Sequence, residues 1–143
     1  MAGNITLTII KPLAFHNNKA VPILHRITEA GFHLVAAKTM HMTVEQAKLF
    51  YQVHREREFY NNLVAFMSSG PVMVAMLQKE NAVEDFRKLI GKTNPAEAAE
   101  GTIRKDFGTS MQANAVHGSD SDENAQKECN FFFAECERFY QEG

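Results

Sequence analysis

Two short segments of this chain are almost wholly apolar, and they limit the folds open to it. Residues Ile5–Ile10 read Ile-Thr-Leu-Thr-Ile-Ile, and residues 72–77 read Val-Met-Val-Ala-Met-Leu. Lys11-Pro12 ends the first run and Gly70-Pro71 precedes the second. Apolar runs of this length between breakers predict buried strands at the centre of a sheet.

The intervening text supplies the helices that cover such a sheet. Val21, Ile23, Leu24 and Ile27, followed by Gly31, predict a helix within 18–30 that stops at a glycine. Residues 32–40 then read as another strand. Thr43, with Gln46 three positions later, forms a capping box that opens a helix carrying Ala47, Phe50 and Tyr51. A second helix over 59–67 completes a helical hairpin. Val83, Phe86, Leu89 and Ile90 mark the buried side of a helix over 82–90. Ser121 before Asp122 and Glu123 is an N-cap with an acidic first turn, opening a helix that runs to about Phe132 and buries Ala125 and Cys129. The order strand, helix, strand, helix pair, strand, helix, strand, helix predicts an α+β, ferredoxin-like, four-stranded antiparallel sheet covered by helices. The 143 residues form a single expected domain, 1–143, of a size that removes about 70% of its unfolded surface from water.

Charge and spacing narrow the function. A net charge of −2 argues against a nucleic-acid binder that works through a broad basic face, though a few cations aimed at one cleft suffice for a small anion. No apolar run approaches the roughly 18 residues of a membrane span, and the first residues lack a secretory pattern, so a cytoplasmic protein without a membrane partner is expected. Cys129 and Cys136 lie seven apart, outside any paired metal site, and read as small buried apolar residues. His16, His25, His33 and His41 lack partners at metal-ligand spacing and read as surface or packing residues. Gly91-Lys92-Thr93 imitates the end of a phosphate-binding P-loop, but Phe86 stands where that loop requires its first glycine.

The chemistry concentrates at 114–121, Asn-Ala-Val-His-Gly-Ser-Asp-Ser. A short apolar run carries His117 to a strand end, a glycine follows, and small oxygen-bearing side chains lead into a helix whose first turn is positive. An imidazole there serves as a general base, a metal ligand, a phosphoryl acceptor or a structural residue, and local spacing leaves all four open.

This segment resembles the active-site signature of the nucleoside diphosphate kinases, whose histidine carries a phosphoryl group from a triphosphate donor to a diphosphate acceptor. The resemblance continues through Thr-Ile-Ile-Lys-Pro at 8–12, the spacing of Tyr51, His54 and Phe59, Thr-Asn-Pro at 93–95 and Gly-Thr-Ile-Arg at 101–104. It thus spans nearly the whole chain. It implies nucleoside diphosphate kinase activity, a ping-pong reaction through phosphohistidine at His117, and broad base specificity, supporting the synthesis of triphosphates other than ATP. Glu128 is implied to fix the imidazole tautomer, directly or through Ser119, with Tyr51 in the catalytic group. Lys11 and Asn114 are implied to meet the sugar, Lys11 also the phosphates, and Phe59 to stack on the base opposite Met111. Arg87, Thr93 and Arg104 are implied to bind phosphates. Taken alone, Arg87 and Glu128 read as solvated helix residues, Phe59 as core and Lys11 as a strand terminus.

The resemblance also implies Mg²⁺ bridging the phosphates, with Asp120 touching it through water and no protein cage, and a long nucleotide-binding loop over 92–108. The implied partners are nucleoside triphosphates and diphosphates and further copies of the chain, in a hexamer or tetramer built from dimers. No specific nucleic acid is expected. Three positions depart from the family's usual residues: Glu58 and Glu100 stand where proline is frequent, and Lys105 where glycine is frequent. The first bears on the placement of Phe59, the other two on assembly. Competing readings are a nucleotide-binding module that has lost catalysis, an RNA-binding sheet and a metal-dependent hydrolase. The first requires a missing site residue, the second an aromatic surface strand, and the third ligand partners for His117.

Overall fold

Strands β1 (Ile5–Ile10) and β3 (Val72–Gln78) lie side by side in the middle of a four-stranded sheet, flanked by β4 (Val116–Gly118) and β2 (His33–Met40). The order is β2-β3-β1-β4 and every pairing is antiparallel, the ferredoxin-like arrangement. The protein is described here from a computed structural model over residues 3–142; Met1, Ala2 and Gly143, part of the expected domain of 1–143, lie outside the described residues.

Both faces of the sheet are covered, which is why its central strands are so apolar. On one face Ile10, Ala75, Leu77 and Val116 pack with α2 (Ala20–Glu29) and α5 (Ala82–Ile90) through Ile23, Ile27, Phe86 and Ile90. On the other, Leu7, Ile9, Val74 and Met76 meet residues from the hairpin of α3 (Val44–Phe50) and α4 (Tyr60–Met67) and from α7 (Asp122–Phe132), including Tyr51, Met67, Cys129 and Phe132. The two threonines of β1 are fully buried as well. Thr8 is satisfied by donating to the His117 carbonyl at 2.8 Å, so a core hydroxyl ties the strand bearing the histidine to the centre of the sheet.

The local signals act as their chemistry requires. Thr43 Oγ1 accepts from the Gln46 amide, and the Gln46 side chain accepts from the Thr43 amide, closing the capping box of α3. Ser121 caps α7 by accepting from the Asn124 amide at 3.1 Å. Two five-residue helices escape the periodicity argument, α1 (Pro12–His16) and α6 (Ile103–Phe107). Each has fewer than two turns, too few for an apolar period to stand out, and Pro12, which reads as a breaker, occupies the first turn of α1, where its missing N–H costs nothing. One expectation is corrected: Cys129 is buried as foreseen, but Cys136 is exposed, because it lies in a 3₁₀ turn beyond α7 with no layer above it. Among the described residues no helix is long and apolar enough to cross a membrane.

Residues 91–108 begin at a sharp bend. Gly91 has φ +87° and ψ −173°, a region essentially confined to glycine. A Cβ at this position would lie 2.7 Å from the Thr102 side chain, so strain and crowding coincide. Gly91→Ala should therefore destabilise the protein by about 1–3 kcal/mol, read as a lower urea midpoint at unchanged slope. A change below about 0.5 kcal/mol would show that the segment shifts freely.

Candidate active site

His117 lies on β4, paired opposite Ile9 of the central strand. Its Nε2 is 2.8 Å from Glu128 Oε1, one helical layer away on α7. The same carboxylate oxygen accepts from Ser119 Oγ at 2.7 Å, and Ser119 Oγ in turn accepts from the Leu7 amide at 3.2 Å. Ser119 is fully buried. The chain of bonds therefore runs from the backbone of β1 through a hydroxyl and a carboxylate to one nitrogen of the imidazole. An ionised Glu128 can only accept, so Nε2 carries the proton and Nδ1 keeps a lone pair. Phe50 sets its ring edge-to-face against the imidazole, centroids 5.5 Å apart, and Tyr51 does so at 6.4 Å. The Tyr51 hydroxyl is buried without a hydrogen-bond partner, and burial, then the nearby Glu128 charge, pushes its pKa well above the phenolic range.

The backbone leading to His117 is unusual. Ala115 has φ +77°, and the Val116 amide donates to the Asn114 carbonyl at 3.0 Å, which makes a three-residue γ-turn. A non-glycine residue in this conformation is strained, and neighbours hold it there. The Lys11 amide donates to the Ala115 carbonyl, Asn114 Nδ2 donates to the Thr93 carbonyl at 2.9 Å, and the Ala115 side chain is buried. In an extended strand, residues 114 and 117 would face opposite sides. Across the turn, Asn114 and His117 line the same cleft.

That cleft has a volume of about 660 Å³, within the range of small-ligand sites. One wall is the α3–α4 hairpin, with Tyr51, His54 and Phe59; the other is the segment bearing Thr93, Arg104 and Met111. Phe59 and Met111 stand at the mouth, 48% and 59% exposed, a large apolar outlay for a surface unless something covers it. The turn bearing Glu58 and Phe59 is held by backbone bonds from the Arg57 amide to the His54 carbonyl and from the Tyr60 amide to the Arg57 carbonyl.

The floor is cationic. Lys11 is buried and donates to the Gln112 carbonyl at 3.3 Å; burial, then the Arg104 charge, brings its pKa down to about 7. Arg104 donates to the carbonyls of Gly91 at 3.0 Å and Val116 at 2.9 Å, while its Nε is buried and unpartnered. Burial, then Arg87, lowers its pKa to about 10, so it stays charged at neutral pH. Neither group is ion-paired among the described residues. Arg104 is thus an unpaired cation at neutral pH, and Lys11, about half protonated there, would be held in its charged form by an anion bound beside it.

Of the residues singled out from the sequence, Lys11, Tyr51, Phe59, Thr93, Arg104, Met111, Asn114, His117 and Glu128 line this cleft. Ser119 acts from behind it through Glu128. Arg87 is exposed on α5 outside the lining and is linked to the site only by its charge on Arg104. Phe50 and Asn124 also line the cleft; both sit on faces of amphipathic helices that sequence reasoning assigns to packing or solvent. Among the described residues no three His, Cys, Asp or Glu side chains gather into a metal cage. Asp120 lines the cleft while holding Asn124 Nδ2 at 2.6 Å.

The family model described as nucleoside diphosphate kinase matches residues 4–138. The chain is 58% identical over 139 residues to a nucleoside diphosphate kinase of Flavobacterium psychrophilum, covering 97% of this chain and all of the relative. It is 52% identical to that of Salinibacter ruber, with 96% of each chain covered. Among solved structures, the Aquifex aeolicus nucleoside diphosphate kinase superposes with a TM-score of 0.93 at 45% identity, covering 95% of this chain and 99% of that one. A halophilic enzyme from Halobacterium salinarum, solved with CDP, gives 0.92 at 30% identity, covering 99% and 95%.

The buried ammonium at Lys11 gives stability a definite pH dependence. An unfolded lysine titrates near 10.5 and the folded one near 7, so between these values the unfolded chain binds more protons and stability rises with pH. Below pH 7 both states are protonated and the burial cost is fully present. The stability of wild type relative to Lys11→Met should therefore climb from pH 7 to pH 10, with a slope of up to about 1.4 kcal/mol per pH unit. Urea denaturation at pH 6, 8 and 9.5 measures it, and a constant gap between the two proteins would contradict a depressed Lys11.

Proposed function

Because the chain belongs to the nucleoside diphosphate kinase family, we propose that its cleft carries out the family's phosphoryl transfer through His117. The activity is that of a phosphotransferase exchanging phosphoryl groups between nucleoside triphosphates and diphosphates. The observation that carries the assignment of His117 is its bond to Glu128. With Nε2 committed as a donor, Nδ1 is the free nucleophile facing a cationic cleft.

In the first half-reaction Nδ1 attacks the γ-phosphorus, the N–P bond forms, the bond from phosphorus to the β,γ-bridging oxygen breaks, and the diphosphate leaves. Positive charge arising on the imidazole is balanced by Glu128, whose carboxylate Ser119 holds in place. In the second half a terminal oxygen of the acceptor diphosphate attacks the same phosphorus and the N–P bond breaks. Lys11 and Arg104 offset negative charge on the phosphates, and Thr93 adds a hydroxyl donor. Lys11 and Asn114 meet the sugar. Phe59 and Met111 hold the base between apolar surfaces, and the stack rests on the ring faces common to all bases. Arg87 joins the phosphate group as an exposed cation whose charge already reaches Arg104 and whose side chain would turn inward on binding.

Phosphoryl transfer in this family needs a divalent cation, and we assign Mg²⁺. Asp120, which lines the cleft, is the residue that would hold such an ion, through water. When bound, it neutralises the phosphate oxygens. We assign the chain to the cytoplasm as a single domain that self-associates into a tetramer or hexamer of dimers. Glu100 and Lys105, the unusual residues bearing on assembly, are both exposed.

With γ-labelled ATP and Mg²⁺, wild type should take up acid-labile, alkali-stable label and pass it to GDP, while His117→Ala takes up none. Nucleotide binding without label in the wild type would overturn the phosphohistidine route. Phe59→Ala should raise KM for purine and pyrimidine diphosphates alike, by about three- to tenfold, in steady-state assays; an effect on one base class alone would contradict a stack without base readout.

A further inference from the structure

Arg104 reaches the cleft from a five-residue helix inside a segment without strands, so something outside that segment must fix its position. We propose that Arg26 is the positioning residue that holds Arg104 in the phosphate site, an inference that rests on the phosphate-binding role of Arg104. Arg26 lies on α2 between Ile23 and Ile27, both fully buried against the sheet, so its backbone is fixed by the core. Its guanidinium bonds to both ends of the short helix. One terminal nitrogen donates to the Gly101 carbonyl, in the turn before α6, and the other to Asp106 Oδ2 at 2.8 Å, within α6. The cation also lies 5.7 Å from the centre of the Phe107 ring.

These contacts bracket Arg104 along the chain. Gly101, at φ +88°, begins the turn, Thr102 caps the helix by accepting from the Lys105 amide, and Asp106 and Phe107 close it. The ion pair alone would contribute little, since its side chains are 30% and 42% exposed and water screens them. Its value lies in geometry: a planar fork with two donors reaches two points on the helix at once, as a lysine cannot. With Arg26 in place, Arg104 meets the carbonyls of Gly91 and Val116 without α6 having to be ordered as nucleotide binds. Loss of the fork returns that ordering cost to the binding step.

The test uses the full chain, with ADP and Mg²⁺ as the probe. Arg26→Ala should speed amide exchange over 101–108 while leaving β1 and α5 unchanged, and should weaken ADP binding by calorimetry about three- to tenfold. Arg26→Lys should recover little of the loss. In an Arg104→Ala background, Arg26→Ala should weaken ADP binding no further, because residues that act through one another are not additive. Asp106→Ala, which removes only one prong, should give a smaller loss and serves equally if Arg26→Ala folds poorly. Additive losses, unchanged ADP affinity, or faster exchange spread over the whole sheet would each overturn the proposal. A wild type that binds no ADP would instead remove the nucleotide reading, and the role of Arg26 with it.

Discussion

One carboxylate oxygen, Glu128 Oε1, accepts from both the His117 imidazole and the Ser119 hydroxyl, and the chemistry of the cleft follows from that double use. An imidazole free to rotate would offer either nitrogen to a ligand; one held at Nε2 offers only Nδ1. The restraint costs little flexibility elsewhere because the Ser119 oxygen is itself fixed by the Leu7 amide in the central strand. The imidazole is thereby referenced to a central strand of the sheet, and α7 contributes a side chain to the cleft as well as a wall to the core.

Against that anchored face stands a second one made of charge. Lys11 leaves β1 just beyond its last paired residue, and Arg104 is aimed inward from a loop. Neither has a carboxylate partner among the described residues, and the desolvation behind their lowered pKa values is a cost of burying them. A bound phosphate offsets it. The site is thus arranged so that the ligand completes a network of charges that the protein alone leaves open.

The fold was largely legible in the sequence, because burial of both sheet faces leaves an apolar record in residues 5–10 and 72–77 that no exposed strand would carry. Caps at Thr43 and Ser121 were equally readable, since each is a local bargain between one side chain and one amide. The short helices α1 and α6 left no such record, having fewer than two turns in which to repeat a contact. At the site, His117, Lys11, Phe59 and Arg104 were named through motif resemblance, whereas the sharing of Glu128 between two donors depends on how α7 packs over β1, which spacing along one chain does not encode. The exposure of Arg87 was legible in its helix position, while that of Cys136 was missed for a related reason: helix periodicity tells which side of a helix is apolar, not where the covering layer ends.

The γ-turn at Ala115 gives the chain a counting problem. Because that turn reverses the alternation of side chains just before β4, the register of β4 against β1 decides which face of the sheet receives residue 117. A slip of one residue in that pairing would bury the imidazole among Phe86 and Ile90 and turn Val116 or Gly118 toward the cleft. Loops usually absorb insertions and deletions readily. Here that freedom should stop at Asn114: changes in length are tolerable before it, and between Asn114 and His117 they would undo the turn that aims the imidazole.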